Sequence, residues 1–366
     1  MKKNNALRRA AALMAALSIT VSLAAPAFAG TYYIDDGDIT IIKNENGSQT
    51  IKQQGKEDCT DQVGDETIIT THKKAITTLE SDLEGPAAED SGFGPVVEDN
   101  YQPAQPEGTE ESEDADQPEI AEEPKSADRQ ESADQQAAPA AAAPAAPAAP
   151  TSVITLINNF ANKVLNLTLK DVKIDVSNTG RENHAGKAAL SVQGEGNVEI
   201  ELDGKNELKS GYYRAGLEKN TSAGTLTLKD DNKEAGSGSL NAEGGALSAG
   251  IGGSYNGDSA NNGTKNIIIT GGTVTATGGD GGAGIGGGNG GAAENITITG
   301  STVTATGDRG GAGIGGGAGE SNRGNGNNIT ITGSTVTAIS NGCGQRGNGG
   351  GAGIGGGCNR NGSHIT

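Results

Sequence analysis

The stretch Asn295-Ile-Thr-Ile-Thr-Gly-Ser-Thr-Val-Thr-Ala-Thr-Gly-Asp-Arg-Gly-Gly-Ala-Gly-Ile-Gly-Gly-Gly317 decides the fold. Ile296 and Ile298 alternate with Thr297 and Thr299, and Val303 and Ala305 alternate with Thr302, Thr304 and Thr306. That period of two marks strands with one buried face. A Gly-rich run around Ile314 closes the unit. The same wording recurs from Asn266, 29 residues earlier, and from Asn328, 33 residues later. A unit of this length, with two alternating strands and a third Gly-rich one, wraps once around a narrow core. The next unit then stacks about 4.8 Å further along.

Weaker copies precede these three. Asn166-Leu-Thr-Leu with Val172-Lys-Ile-Asp-Val, Val198-Glu-Ile-Glu-Leu with Asn206-Glu-Leu, and Thr225-Leu-Thr-Leu with Ser239-Leu-Asn repeat the first two strands. Leu190, Leu217 and Ile251 stand where Ile285, Ile314 and Ile354 stand later. The expected fold class is all-β: a parallel, right-handed β-helix solenoid of about six rungs of three short strands. Its core is expected to stack as Ile267/Ile296/Ile329, Val274/Val303/Val336 and Ile285/Ile314/Ile354. So thin a coil needs few bulky residues, which accounts for a chain of 366 residues with three Phe and no Trp. The 61 Gly are expected where φ must be positive at corners or where another surface approaches the backbone. A collagen helix is excluded, because glycine does not fall at every third position.

The flanks read differently. Residues 1–29 combine a basic start (Lys2, Lys3, Arg8, Arg9), an apolar stretch and the ending Ala27-Phe28-Ala29, the layout of a secretory signal peptide. Residues 30–79 hold short strands, with the solenoid cap as their candidate role. Residues 80–150 are acidic and then Ala/Pro-rich, and are expected to be a disordered linker. Residues 151–366 carry the Gly-rich repeats, and His364-Ile365-Thr366 reads as the opening of a seventh strand, so the repeat array is expected to be truncated at its C-terminus. Of the net charge of −19, nearly all comes from residues 80–134, with 19 acids against Lys125 and Arg129. No basic stripe is present, which argues against a nucleic-acid partner. No apolar run beyond the leader reaches the roughly 20 residues that span a bilayer.

Few residues carry legible chemistry. Aligning the Gly-rich runs to a calcium-binding β-roll nonapeptide puts Ala283, Ala312 and Ala352 where the carboxylate ligand belongs, so that reading is rejected. Asp171, Asp203, Asp230 and Asp231 follow the first strand of the early units and are the candidate metal ligands, with calcium the candidate ion. Each has a lysine close by, which favours salt-bridged turns. No catalytic Ser/His/Asp or Cys/His set is visible, and no cofactor motif. Tyr212 and Tyr213 are the candidates for stacking on a sugar ring. Thr273, Thr275, Thr302, Thr304, Thr335 and Thr337 form outward ranks, which resemble the ice-binding face of some antifreeze proteins and are also what soluble strands use. Cys343 and Cys358 bracket one Gly-rich run and are the candidate disulfide; Cys59 is left over.

The run from Asn166-Leu-Thr-Leu-Lys-Asp-Val through Glu201-Leu-Asp-Gly-Lys-Asn-Glu-Leu to the Gly-Ala-Gly-Ile-Gly-Gly-Gly repeats resembles a group of secreted or wall-attached β-helix repeat proteins. These occur in Gram-positive bacteria of the Firmicutes. The resemblance implies a surface β-helix with a carbohydrate partner. The resulting expectation is a non-enzymatic exported adhesin or stalk that binds a polysaccharide, cell-wall or host-matrix glycan through a flat solenoid face. A β-helix polysaccharide lyase or hydrolase is the enzymatic alternative, and an ice-binding threonine array is the third.

Overall fold

The structure is a computed structural model that describes residues 30–72, 151–231, 238–257, 262–319, 324–342 and 350–366. The leader at 1–29, the acidic and Ala/Pro-rich stretch within 73–150, and Cys343 lie outside the described residues.

Three sheets run the length of a parallel β-helix. The first stacks β1 (Gly30–Tyr33), β5 (Thr67–Thr70), β7 (Val164–Lys170), β10 (Asn197–Asp203), β13 (Leu226–Lys229), β16 (Thr264–Thr270), β19 (Ala293–Thr299), β22 (Gly326–Thr332) and β25 (Gly362–Ile365). The second stacks β8 (Lys173–Asp175), β11 (Lys205–Lys209), β14 (Ser239–Glu243), β17 (Thr273–Thr277), β20 (Thr302–Gly307) and β23 (Thr335–Ser340). The third stacks β2 (Ile39–Lys43), β6 (Ile154–Ile157), β9 (Leu190–Gln193), β12 (Leu217–Lys219), β15 (Ile251–Gly252), β18 (Ile285–Gly286), β21 (Ile314–Gly315) and β24 (Ile354–Gly355). The chain visits the sheets in the order first, second, third, and repeats this through six full coils from β7 to β24.

The columns follow the expected register. Leu226, Ile267, Ile296 and Ile329 stack in the first sheet, Val274, Val303 and Val336 in the second, and Leu190, Leu217, Ile251, Ile285, Ile314 and Ile354 in the third. Nearly all are fully buried. Each such side chain is worth about 1.5–3 kcal/mol of burial, so many small contributions replace a bulky core.

Residues 30–72 do more than precede the coil. β5 pairs in parallel with β7, and β2 pairs in parallel with β6, so these strands extend the first and third sheets. β3 (Gln49–Gln53) then adds antiparallel to β2, and β4 (Cys59–Asp61) antiparallel to β3, at the end of the third sheet. That hairpin covers the edge which a parallel stack leaves unpaired. These strands thus pair directly with the first coil, although residues 73–150 stand between them in the sequence. β5 ends at Thr70 in the first sheet and β6 begins at Ile154 in the third, with no second-sheet strand between them among the described residues.

Two glycine columns have distinct causes. Gly252, Gly286, Gly315 and Gly355 follow the buried isoleucines with φ between 129° and 142°. A Cβ on Gly286 would run into the carbonyl oxygen of Gly315, and one on Gly315 into that of Gly355. Gly216, Gly250 and Gly313 precede the same inward residues; a Cβ there would come within 2.6 Å of the backbone nitrogen of Glu243, Thr277 and Ile339 respectively. At these glycines of the later coils an added Cβ would force the neighbouring carbonyl or amide to shift.

Candidate functional site

Tyr212 and Tyr213 lie on the corner between β11 and β12, with ring centroids 4.5 Å apart and ring planes at 53°. Tyr255, which follows β15 one coil later, joins them: its ring lies 4.8 Å from that of Tyr213. Its backbone N–H donates to Ser248 Oγ at 3.1 Å, which folds the segment back over the corner. The three rings are half-buried and tilted against one another, so they present a corrugated aromatic patch. Half of the six tyrosines of the chain are gathered here. Burial, then the Tyr213 ring and the carboxylates of Glu182 and Asp280, hold Tyr212 above the usual phenol range. It therefore stays a neutral hydroxyl that can donate and accept.

The backbone under this patch is unusual. Tyr213 has φ 66°, in the left-handed region, and stands four residues before the inward Leu217. At the corresponding corner of the following coils stand Leu247 (φ 62°), Gly281 (φ 74°) and Gly310 (φ 93°). A tyrosine costs on the order of 1–2 kcal/mol in a position that glycine fills freely. Beside it, Arg214 pairs with Glu218 at 3.3 Å, and Glu218 accepts from Ser254 Oγ at 2.7 Å, a polar border to the rings.

The threonine ranks form in the second sheet. Thr273, Thr302 and Thr335 stand in register, as do Thr275, Thr304 and Thr337, with Thr277 and Thr306 beside them. The rank stops on one side at Ser239, Asn241 and Glu243, and on the other at Ile339 of β23, which is exposed. A regular grid of hydroxyls and methyls thus covers three coils.

The acidic candidates are not drawn into one cluster. Asp171 Oδ1 accepts the N–H of Lys205 at 3.0 Å, Asp203 pairs with Lys170 at 2.6 Å, and Asp231 pairs with Lys229 at 3.2 Å. Asp230 Oδ2 accepts the N–H of Gly238 at 3.2 Å. Among the described residues, no group of three or more Asp, Glu, His or Cys is placed to hold a metal ion. Cys358 is disulfide-bonded and Cys59 is a free, exposed thiol; Cys343, its candidate partner, lies outside the described residues. No helix among the described residues is long and apolar enough to cross a membrane.

Several structural features were not visible as such in the sequence. Asn266, Asn295 and Asn328 mark the repeat, and all three are left-handed, with φ 58°, 55° and 53°. Their side chains form a ladder: Asn295 Nδ2 donates to Asn266 Oδ1 at 2.9 Å, and Asn328 Nδ2 to Asn295 Oδ1 at 3.1 Å. Asparagine tolerates this conformation better than other side chains, which explains its recurrence as the third residue of β16, β19 and β22. Lys219 occupies an inward position at the end of β12, is 1% exposed, and donates to Asn220 O, Ser222 O and Ser222 Oγ. Burial pushes it down to about 8. The alternation Leu217-Glu218-Lys219 was the available signal, since it places a lysine on the buried side.

Comparison with known proteins agrees with this architecture. Residues 236–255, 267–289 and 296–318 each match the family described as beta helix repeat. No curated protein and no solved structure matches the chain. Those three segments, one per coil around β15, β18 and β21, are beta-helix repeats, and the chain is similar to that family over them.

Proposed function

We propose that this protein is a non-enzymatic, exported β-helix that binds a polysaccharide at the cell surface, with Tyr212, Tyr213 and Tyr255 as the sugar-stacking platform. The observation that carries this reading is Tyr213. It is held in a left-handed corner that the next coil gives to Leu247 and later coils to Gly281 and Gly310, and its ring touches both other tyrosines. Backbone strain kept under a half-buried aromatic cluster fits a recognition role better than a packing role. Aromatic faces stack on the apolar side of sugar rings, and the Arg214–Glu218 border supplies groups for hydroxyls. Export follows from the leader-like residues 1–29, and the solenoid supplies a stiff carrier that displays the patch.

The test separates binding from stability. Tyr213→Gly relieves the left-handed strain, so its melting temperature is expected to equal or exceed that of the parent, while binding on a polysaccharide array falls at least tenfold. Undiminished array binding by Tyr213→Gly would sink the assignment to this patch. Surface labelling of intact cells checks the location; protein found only inside them would remove the export half of the reading.

A further inference from the structure

The start of the solenoid buries a carboxylate among neutral partners. Asp61 ends β4, at the edge of the third sheet, and is 6% exposed. Its Oδ2 accepts from Thr67 Oγ1 of β5 at 2.5 Å, and its Oδ1 accepts from the Tyr32 hydroxyl of β1 at 3.3 Å. Burial, then the Cys59 thiol and Asp61 itself, hold Tyr32 above the usual phenol range, so it donates as a neutral hydroxyl. Among the described residues, no Lys, Arg or His forms an ion pair with Asp61. Two hydroxyls occupy its lone pairs without balancing its charge, and a buried charge is held best by an opposite one.

Gly30 lies against this carboxylate. It opens β1, the edge strand of the first sheet, in register with Thr67. A Cβ on Gly30 would meet the Tyr32 hydroxyl oxygen at 2.8 Å and Asp61 Oδ1 at 3.1 Å. Directly before it stands Ala27-Phe28-Ala29, the small-residue ending at which a leader is cut. While the leader is attached, the Gly30 nitrogen is an uncharged amide. Hydrolysis of the Ala29–Gly30 bond by a leader peptidase consumes one water, leaves a carboxylate on Ala29 and frees an α-amine on Gly30. Such an amine is mostly protonated at neutral pH, its ordinary pKa being about 7.7–8.0. Glycine has the widest backbone freedom, so the freed end can turn its ammonium toward Asp61.

We propose that removal of the leader creates the missing cation: the Gly30 ammonium pairs with Asp61 and ties the edge strand of the first sheet to that of the third, so the solenoid start is fully locked only in the processed chain. The cut itself rests on the export reading above; the pairing does not.

The full chain, residues 28–366 and residues 30–366 are compared by scanning calorimetry. The chain that begins at Gly30 is expected to melt at least about 3 °C above the other two, since only it places a charge-assisted bond on Asp61. Asp61→Asn keeps the side-chain shape and is expected to abolish that gap. Acetylation at neutral pH gives a second readout that needs no variant: the α-amine of residues 30–366 is expected to react at least fivefold more slowly than that of residues 28–366. Mass spectrometry of the secreted protein is expected to find Gly30 first. Equal melting temperatures, a gap that persists in Asp61→Asn, or equally reactive amines would overturn the pairing, and any other first residue would overturn the processing step. The melting and labelling comparisons use purified chains, so their failure is distinct from a failure of the export reading.

Discussion

The first two coils and the last three are the same solenoid built in two ways. In the early coils, third-sheet strands β9 and β12 are four and three residues long and carry Ser191 and Glu218 in register with Gly252. Their outward faces are laced with ion pairs, Lys170–Asp203 at 2.6 Å and Lys173–Glu207 at 3.3 Å. Later, β18, β21 and β24 shrink to two residues, the serine and glutamate positions become Gly286, Gly315 and Gly355, and threonines replace the ion pairs. The early coils are specified by side-chain chemistry, the late ones by backbone shape. The former are expected to respond to salt and pH, the latter to the addition of single methyl groups.

Glycine substitution tests this contrast most severely. Gly286→Ala places a Cβ against the Gly315 carbonyl at φ 142°, and is expected to cost more than about 3 kcal/mol in denaturant unfolding. Ser191→Ala, at the matching position of an early coil, is expected to cost less than about 1 kcal/mol. Equal losses would erase the distinction between the halves.

Lys219 gives the next largest effect. Its folded value of about 8 lies below the ordinary 10.5, so below pH 8 both folded and unfolded states hold the proton and the native state bears the full burial cost. As pH rises from 8 to 10.5 the native state sheds the proton first, and stability increases. The stability of the parent minus that of Lys219→Met should therefore climb by about 2 to 3 kcal/mol across that window. A flat difference profile would mean that the three acceptors around the ammonium already offset its burial.

The smallest effect belongs to the surface pairs. Lys209 and Glu243 meet at 2.9 Å but both are well exposed. A double-mutant cycle between Lys209→Ala and Glu243→Ala should give a coupling of about 0.5 kcal/mol or less, vanishing in 1 M salt. A larger, salt-resistant coupling would show that the early coils depend on their charges more than their exposure suggests.

Much of the fold was legible because the repeat writes it out. Alternation at Ile296 and Ile298 gives the strand, its recurrence gives the stack, and Ile285, Ile314 and Ile354 give the third side. The candidate sites were only partly legible. Tyr212 and Tyr213 stood out as adjacent aromatics, but Tyr255 lies 42 residues further along and joins them only because one coil stacks on the next.

By itself, the sequence determined the solenoid, its six coils and the residues of each column, since periodicity and unit length are local properties that stacking can satisfy in one way. Only the tertiary structure decided what lies between coils and at their ends: the hairpin that closes the third sheet and the three-tyrosine corner. These depend on approaches between residues distant in the chain, and on how closely glycines let one backbone strand lie against the next. A linear pattern carries no record of such distances.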